Sequence, residues 1–534
     1  MEKRSEPYLR NLDFRGFVEG LTYLDPKSLQ PLCHYFGGIP YALPPVGPFR
    51  FQKPRPLAAC FRYGTRANPG RYTGGCGICP QPRDDPPPSV WEEDCLQSNI
   101  WIPVGEPPEG GWPVLFWIHG GFLQFGDANG SDLRLMLSET NCKVIVVEPA
   151  YRLNIFGFLA SPELLDSSAD FDNNAGFWDQ RLALEWTWQN ISYFGGNPSN
   201  ITVGGYSAGS HSAFHQLAYD LGVPDEKSIV KRSIMLSNGP GMQPKSLDEA
   251  QVQFEELLQV LDIPLQAPPE EKLAKLRATD SDTLIKAIDG MKYHQFRGVT
   301  SGFVRHGLHR EIDNGTFARQ MKRRGIELII GECSDEHFVY GTHRPPNSYE
   351  SLFQRLQADY PLTACELLVK EYYPNKKLPS NCKTWEDAWG RIYADIQIHQ
   401  LERGMVNALV RYGAGDLVHR YRIEWRVQAC DEHWPKEWGV THGTDMAIWF
   451  WGDGDRISKK EKIVIKRAFN ANLAKFLKGE KMDWGTEKPL DLRVLKGDTT
   501  VAIEEDGRLA NGVRIWELLK SVGATGSPSS SSKL

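Results

Sequence analysis

Long apolar runs are missing from this 534-residue chain. No stretch reaches the roughly 20 apolar residues that a membrane-spanning helix needs. The opening MEKRSEPYLRNLDFRGF lacks the apolar core of a secretory signal. Sequons at Asn129, Asn190, Asn200 and Asn314 are therefore expected to stay unmodified. Cysteine is sparse, ten in the whole chain, which excludes a disulfide scaffold. Cys76-Gly-Ile-Cys79 has no second C-x-x-C at zinc-ribbon spacing. His211 and His215 keep the i, i+4 spacing of H-E-x-x-H, but Ser212 stands in place of the glutamate. No metal is expected. Basic clusters are absent too: Lys and Arg are dispersed and the net charge is −6, which speaks against nucleic acid or an acidic membrane surface as partner. No repeat recurs at solenoid or propeller periods.

The remainder is ordinary for a soluble globular protein, 41% hydrophobic and 24% charged. Length alone suits two to four domains. From Gly523 the chain turns Gly/Ser-rich (GATGSPSSS), which reads as a flexible tail over 523–534. It presents Ser532-Lys533-Leu534, a peroxisomal address. A peroxisomal import receptor is thus an expected partner and the peroxisome the expected location, with the cytoplasm as the alternative.

Gly205-Tyr206-Ser207-Ala208-Gly209 fits G-x-S-x-G, in which a serine sits at a sharp turn between strand and helix. The turn is so tight that the flanking glycines leave no room for side chains. Ile201, Thr202 and Val203 read as a short buried strand before it, and Ser210 to Leu217 as a helix after it. Helix N-terminal amides favour developing negative charge. A plain glycine-rich turn would satisfy the pentapeptide equally, so Ser207 needs partners. Upstream, the apolar run Pro113 to Ile118 ends in His119-Gly120-Gly121-Phe122, resembling the HGGG-type loop whose amides face an oxyanion. Trp178, Leu182 and Trp186 fall at i, i+4, i+8, an amphipathic helix closed by Phe194-Gly-Gly-Asn-Pro198. With a strand over 143–148, the segments alternate as in a doubly wound sheet.

Several blocks now stand in an order that resembles the type-B carboxylesterase/lipase family, the cholinesterase-like branch of the α/β-hydrolases. They are Phe36-Gly-Gly-Ile-Pro-Tyr-Ala-Leu-Pro-Pro-Val-Gly-Pro-Phe-Arg-Phe51, Glu93-Asp-Cys-Leu96, Asp179-Gln-Arg-Leu-Ala-Leu184 and Phe194-Gly-Gly-Asn-Pro198. The resemblance covers about residues 13–520. It implies an α/β-hydrolase fold: a large, mostly parallel, doubly wound sheet with helices on both faces, in one catalytic domain over 1–522.

It also implies a serine-dependent carboxylic ester hydrolase without cofactor, acting on a hydrophobic small-molecule ester through a Ser-Glu-His triad. Ser207 would be the nucleophile, and the amides of Gly120, Gly121 and Ala208 the oxyanion hole. Glu336 falls at the family's acid position in Glu327-Leu-Ile-Ile-Gly-Glu-Cys-Ser-Asp-Glu-His337, with Asp335 and Glu332 as competitors. His337 replaces the family's usual glycine. His442, in Gly439-Val-Thr-His-Gly-Thr-Asp445, matches the family's histidine block, whereas His399, His419 and His433 read as structural. Ser237 aligns with a buried family serine near the triad and could equally bond a loop. Cys79 and Cys95 match the family's first disulfide. Tyr206 stands where cholinesterases carry glutamate, and the Cys79–Cys95 loop is too short for their choline site. A lactonase, amidase, thioesterase or acyltransferase of secondary metabolism would use the same triad.

Overall fold

The computed structural model describes residues 4–82, 87–168, 171–452 and 454–526. Ser532-Lys533-Leu534 and most of the expected tail lie outside them. The expected tail starts too early, however. Ala524 and Thr525 are buried, Gln243 N–H donates to Ala524 O at 2.7 Å, and Thr525 Oγ1 donates to Trp516 O at 2.5 Å. Gly and Ser content signals flexibility, but these bonds hold residues 523–526 against the body.

Twelve strands form the path of one sheet: β1 (Arg4–Asn11), β2 (Phe17–Leu24), β3 (Pro31–Pro40), β4 (Gln97–Pro103), β5 (Trp112–Ile118), β6 (Ile145–Pro149), β7 (Gly196–Tyr206), β8 (Val230–Leu236), β9 (Glu327–Cys333), β10 (Val418–Ile423), β11 (Leu492–Leu495) and β12 (Val501–Glu504). Their order is β1-β2-β3-β4-β6-β5-β7-β8-β9-β10-β11-β12. From β6 to β11 every pairing is parallel, and the flanking pairings are antiparallel. Alternation along each parallel strand feeds two cores. Phe116, Ile118, Val203 and Ile330 face one, with Phe177, Leu184 and Phe214 from helices. Leu115, Trp117, Ile234 and Ile329 face the other, with Trp449, Phe469 and Phe476. This is the doubly wound α/β-hydrolase architecture.

The elbow strand is longer than its β-branched run, and the strand expected over 143–148 begins at Ile145. Helix α1 (Ala175–Asn190) departs further from expectation. Of the expected stripe Trp186 is buried but Trp178 and Leu182 are only half-buried, while Phe177, Gln180, Arg181 and Leu184 are buried. Polar residues can face inward here because they are paired across the core. Asp179 accepts from Arg152 at 2.7 Å, and Arg181 donates to Asp220 at 2.9 Å.

Register places the carboxyl ends of the central strands level. Gly205 pairs with Ile118 on one side and Met235 on the other, and Met235 pairs with Ile330. At that edge helix α2 (Ala208–Gly222) leaves β7 and folds back under it. Its close approach needs two bare positions. A Cβ on Gly205 would sit 2.1 Å from Gly209 O, and one on Gly209 would sit 1.9 Å from Ile118 O. Cys79 and Cys95 form a disulfide, Cα–Cα 5.4 Å. Inside its loop, Gln81 Oε1 accepts from Gly126 N–H at 2.9 Å, clamping the segment after β5.

Gly209→Ala is expected to force α2 away from β5, because the obstructing atom is backbone. Overpacking of this kind typically costs 1–3 kcal/mol, and here about 3 or more. Gly74→Ala, with nothing within 4 Å of the added Cβ, should leave the melting temperature nearly unchanged. Thermal melts of the two variants compare them directly.

Candidate active site

Ser207 stands between β7 and α2 at φ 58°, ψ −125°, a conformation an L-residue adopts only when its surroundings impose it. The constraint is visible: Ser207 N–H donates to Leu236 O at 3.0 Å, and Ser207 O accepts from His211 N–H at 3.1 Å. Gly120 lies against it, since a Cβ there would meet Ser207 Cβ at 2.9 Å. The loop from Gly120 is strained in the same way, with φ 106° at Gly121, 58° at Phe122 and 65° at Leu123. The N–H groups of Gly120 and Gly121 enter no backbone hydrogen bond among the described residues, and Ala208 opens α2. Three amides beside one serine can receive an oxyanion.

Of the three acidic candidates, Glu336 reaches the imidazole. Its Oε2 lies 2.6 Å from His442 Nδ1, and its Oε1 accepts from Cys333 N–H at 2.7 Å. Glu336 is fully buried and His442 is 4% exposed. Asp335 turns the other way. Its Oδ2 accepts from Val440 N–H at 3.1 Å and from Ser334 Oγ–H at 2.8 Å, which pins the segment before the histidine. Glu332 is held by Arg403 at 2.8 Å, Arg422 at 3.0 Å and His399 at 2.6 Å. These partners hold its carboxyl well below the usual range, against the opposing effect of burial. His337 begins helix α3 (His337–Thr342), right-handed from Glu336 onward, so the position does not need a glycine.

Other predicted residues take plainer places. Ser237 is fully buried at φ 51°, and its N–H donates to Gly331 O at 2.9 Å. Its hydroxyl has no partner among the described residues, so it bonds no loop. His211 and His215 face each other, Nε2 to Nε2 at 3.1 Å. Burial pushes the His211 imidazole down to about 3. His399 belongs to the Glu332 cluster, and the His419 ring packs near Trp484. Tyr206 stacks obliquely on His442, ring centroids 4.7 Å apart. Asp445, three residues on, is buried and pushed up to about 6, first by desolvation and then by Glu336.

Tyr340, which no motif marks, joins the site from α3. Its hydroxyl lies 3.3 Å from His442 Nε2 and 3.5 Å from Nδ1. Burial lifts its pKa well above the usual phenol, so it stays a neutral donor. Phe122 and Tyr393 flank it, at 5.7 Å and 5.1 Å between ring centroids.

A doubly wound sheet with a serine elbow and an imidazole–carboxylate pair at its strand ends is the arrangement of α/β-hydrolases that act on acyl groups. The chain belongs to the carboxylesterase family, whose profile matches residues 9–489. It is 47% identical over 531 residues to a carboxylic ester hydrolase of Gibberella moniliformis, covering 97% of each chain. It is 39% identical to an uncharacterised esterase/lipase of Schizosaccharomyces pombe, covering 97% of this chain and 98% of that one. Among solved structures, EstA of Aspergillus niger superposes with a TM-score of 0.73 at 21% identity, covering 96% of this chain and 98% of its own, a likeness of fold. The protein is a carboxylic ester hydrolase.

Three substitutions separate the acidic residues. Glu336→Gln is expected to lower kcat on an aryl ester by about 10³- to 10⁴-fold. Asp335→Asn should be much milder. Glu332→Gln should lower the melting temperature, because Arg403 and Arg422 lose a buried counter-charge, a loss worth about 3–5 kcal/mol. Steady-state rates and melts of all three test the assignment. A rate loss in Asp335→Asn as large as in Glu336→Gln would overturn it.

Proposed function

We propose that this hydrolase works through an acyl-enzyme formed on Ser207. The reading rests on the buried 2.6 Å contact between Glu336 and His442, at the strand edge where Ser207 is held out of the ordinary backbone regions. Ser207 Oγ attacks the ester carbon while His442 Nε2 takes its proton. Glu336 fixes the tautomer and stabilises the imidazolium. The oxyanion accepts hydrogen bonds from the amides of Gly120, Gly121 and Ala208. Collapse of the intermediate expels the alcohol, which leaves with the proton from His442. Water, deprotonated by the same imidazole, then attacks the acyl carbon, and the acid departs from Ser207. The body of the ester packs on Phe122, Tyr340 and Tyr393, rings that pack on one another beside His442.

Tyr340 serves as a donor that steadies His442 before substrate arrives. Replacing its hydroxyl by hydrogen removes one neutral hydrogen bond, worth about 1 kcal/mol or roughly fivefold in kcat.

Ser207→Ala is expected to abolish hydrolysis of 4-nitrophenyl acetate, by about 10⁴- to 10⁶-fold, at an unchanged melting temperature. A fluorescent phosphonate probe should label the wild type at Ser207 by mass spectrometry and leave the variant unlabelled. Residual activity above roughly a tenth of wild type would refute the nucleophile, since triad losses are far larger.

A further inference from the structure

A group of like charges lies beyond the ring pair Tyr393 and Tyr340, the second of which reaches His442. Arg297 Nη1 donates to Asp359 Oδ1 at 2.8 Å and to the Tyr393 hydroxyl at 3.1 Å. Asp359 is the last residue of helix α4 (Tyr349–Asp359) and also accepts from Arg355, one turn earlier. Lys245 Nζ donates to Ala358 O at 3.0 Å beside them. The Arg355 side chain is 4% exposed and that of Asp359 fully buried. Two guanidinium groups thus share one buried carboxylate, with the lysine beside them. Glu249, the other carboxylate that acts on Lys245, is half-buried and already occupied, capping a helix and accepting from Leu362 N–H at 3.0 Å. Arg355 Nε and Nη2 find no partner among the described residues, and the guanidinium instead lies over Trp389 at 4.6 Å.

Burying uncompensated charge is expensive, several kcal/mol per ion even after relaxation. One arginine would balance Asp359. The second and the lysine are an excess that a purely structural pair does not need. A cavity of about 20 Å³ opens beside Arg297, lined also by His211, Gly241, Asp359, Tyr360 and Gln397. It can hold one water or one small polar head. His211 presents a neutral ring there, so it adds no charge.

The cavity is tied to the catalytic elements by direct contacts. Gln124 Nε2, in the segment after the oxyanion loop, donates to Phe296 O at 2.5 Å, and Phe296 N–H donates back to Gln124 Oε1 at 3.2 Å. Arg297 is the next residue. Tyr393, which bonds Arg297, packs on Tyr340, whose hydroxyl lies 3.3 Å from His442 Nε2. His211 stands one turn after Ser207 on α2.

We propose that the ester this enzyme cleaves carries a carboxylate, held by Arg297 in this cavity while the ester carbonyl faces Ser207. The proposal rests on the acyl-enzyme reading above and narrows its substrate from a hydrophobic ester to an amphipathic, anionic one. The guanidinium supplies planar paired donors that match a carboxylate. Arg355 keeps Asp359 neutralised when Arg297 turns to the ligand.

The test compares matched esters. In wild type, kcat/KM for 4-nitrophenyl hemiglutarate should exceed that for 4-nitrophenyl pentanoate by at least about 20-fold. Alternatively, 4-acetoxybenzoate should exceed its methyl ester by a similar factor, which would place the carboxylate on the alcohol side. In Arg297→Met the favoured ratio should fall toward one, and Arg297→Lys should restore part of it. Glutarate should inhibit wild type competitively at concentrations where glutaramide does not, a measurement that needs no variant. The proposal falls if neither pair shows a preference for the anion, or if the preference survives in Arg297→Met. Absence of any Ser207-dependent turnover of the neutral esters and the anionic ones alike would instead defeat the acyl-enzyme reading itself.

Discussion

The site depends on how closely α2 can come to β5. Gly205 and Gly209 let the first turn of the helix rest on Ile118 O. That contact sets the sharpness of the elbow, and the elbow sets the conformation of Ser207. Gly120 then fits against Ser207 from the end of β5, so Ser207 and the amides of Gly120 and Gly121 are positioned by one packing event. The parallel register extends the arrangement sideways. β8 ends level with β7 and supplies Leu236 O to Ser207 N–H, while β9 ends level with β8 and carries Glu336 just beyond its last residue. A helix held even one methyl group further out would disturb every one of these distances.

What was legible in the sequence follows the range of the signal. Ser207, Gly120, Gly121 and His442 sit in short glycine-bounded segments, because backbone must approach backbone there. The structure brings Glu336 to His442 and sends Asp335 and Glu332 elsewhere, a choice that spacing alone left open. Adjacent residues at a strand end point apart, so one carboxylate reaches the ring and its neighbour bonds Val440 N–H. Tyr340, Tyr393 and Arg297 carried no signal. They come from two helices and a loop that are distant in the chain and meet only in the fold. The faces of α1 were misread for a related reason: Asp179 and Arg181 look solvent-exposed by type, and their partners Arg152 and Asp220 lie far along the chain.

Charge inside this protein is sorted by partner count. Around Glu332 the arginines are spread over several acids, with Arg403 shared between Glu332 and Asp506, and Arg420 bonding Asp506 beside Glu402. Around Asp359 two arginines meet a single carboxylate. The first cluster fastens β10 to β9; the second borders Tyr393, which packs on Tyr340. Similar residue types therefore stiffen the scaffold in one place and leave an unmet demand for negative charge in the other.

The clamp between Gln81 and Gly126 has a wider meaning. Gln81 bonds both the N–H and the O of Gly126, at 2.9 Å and 3.3 Å, and Gln81 lies within the ring closed by Cys79 and Cys95. Gly126 ends the strained segment that starts at Gly120, and a Cβ on it would strike Gly120 O at 2.7 Å. The covalent ring and the amides of Gly120 and Gly121 are thus consecutive links of one mechanical chain. Opening the sulfur bridge would remove no group that meets the substrate, yet it would loosen the anchor at the far end of the segment that carries those amides. The oxidation state of two cysteines is in this way written into the stiffness of the catalytic backbone.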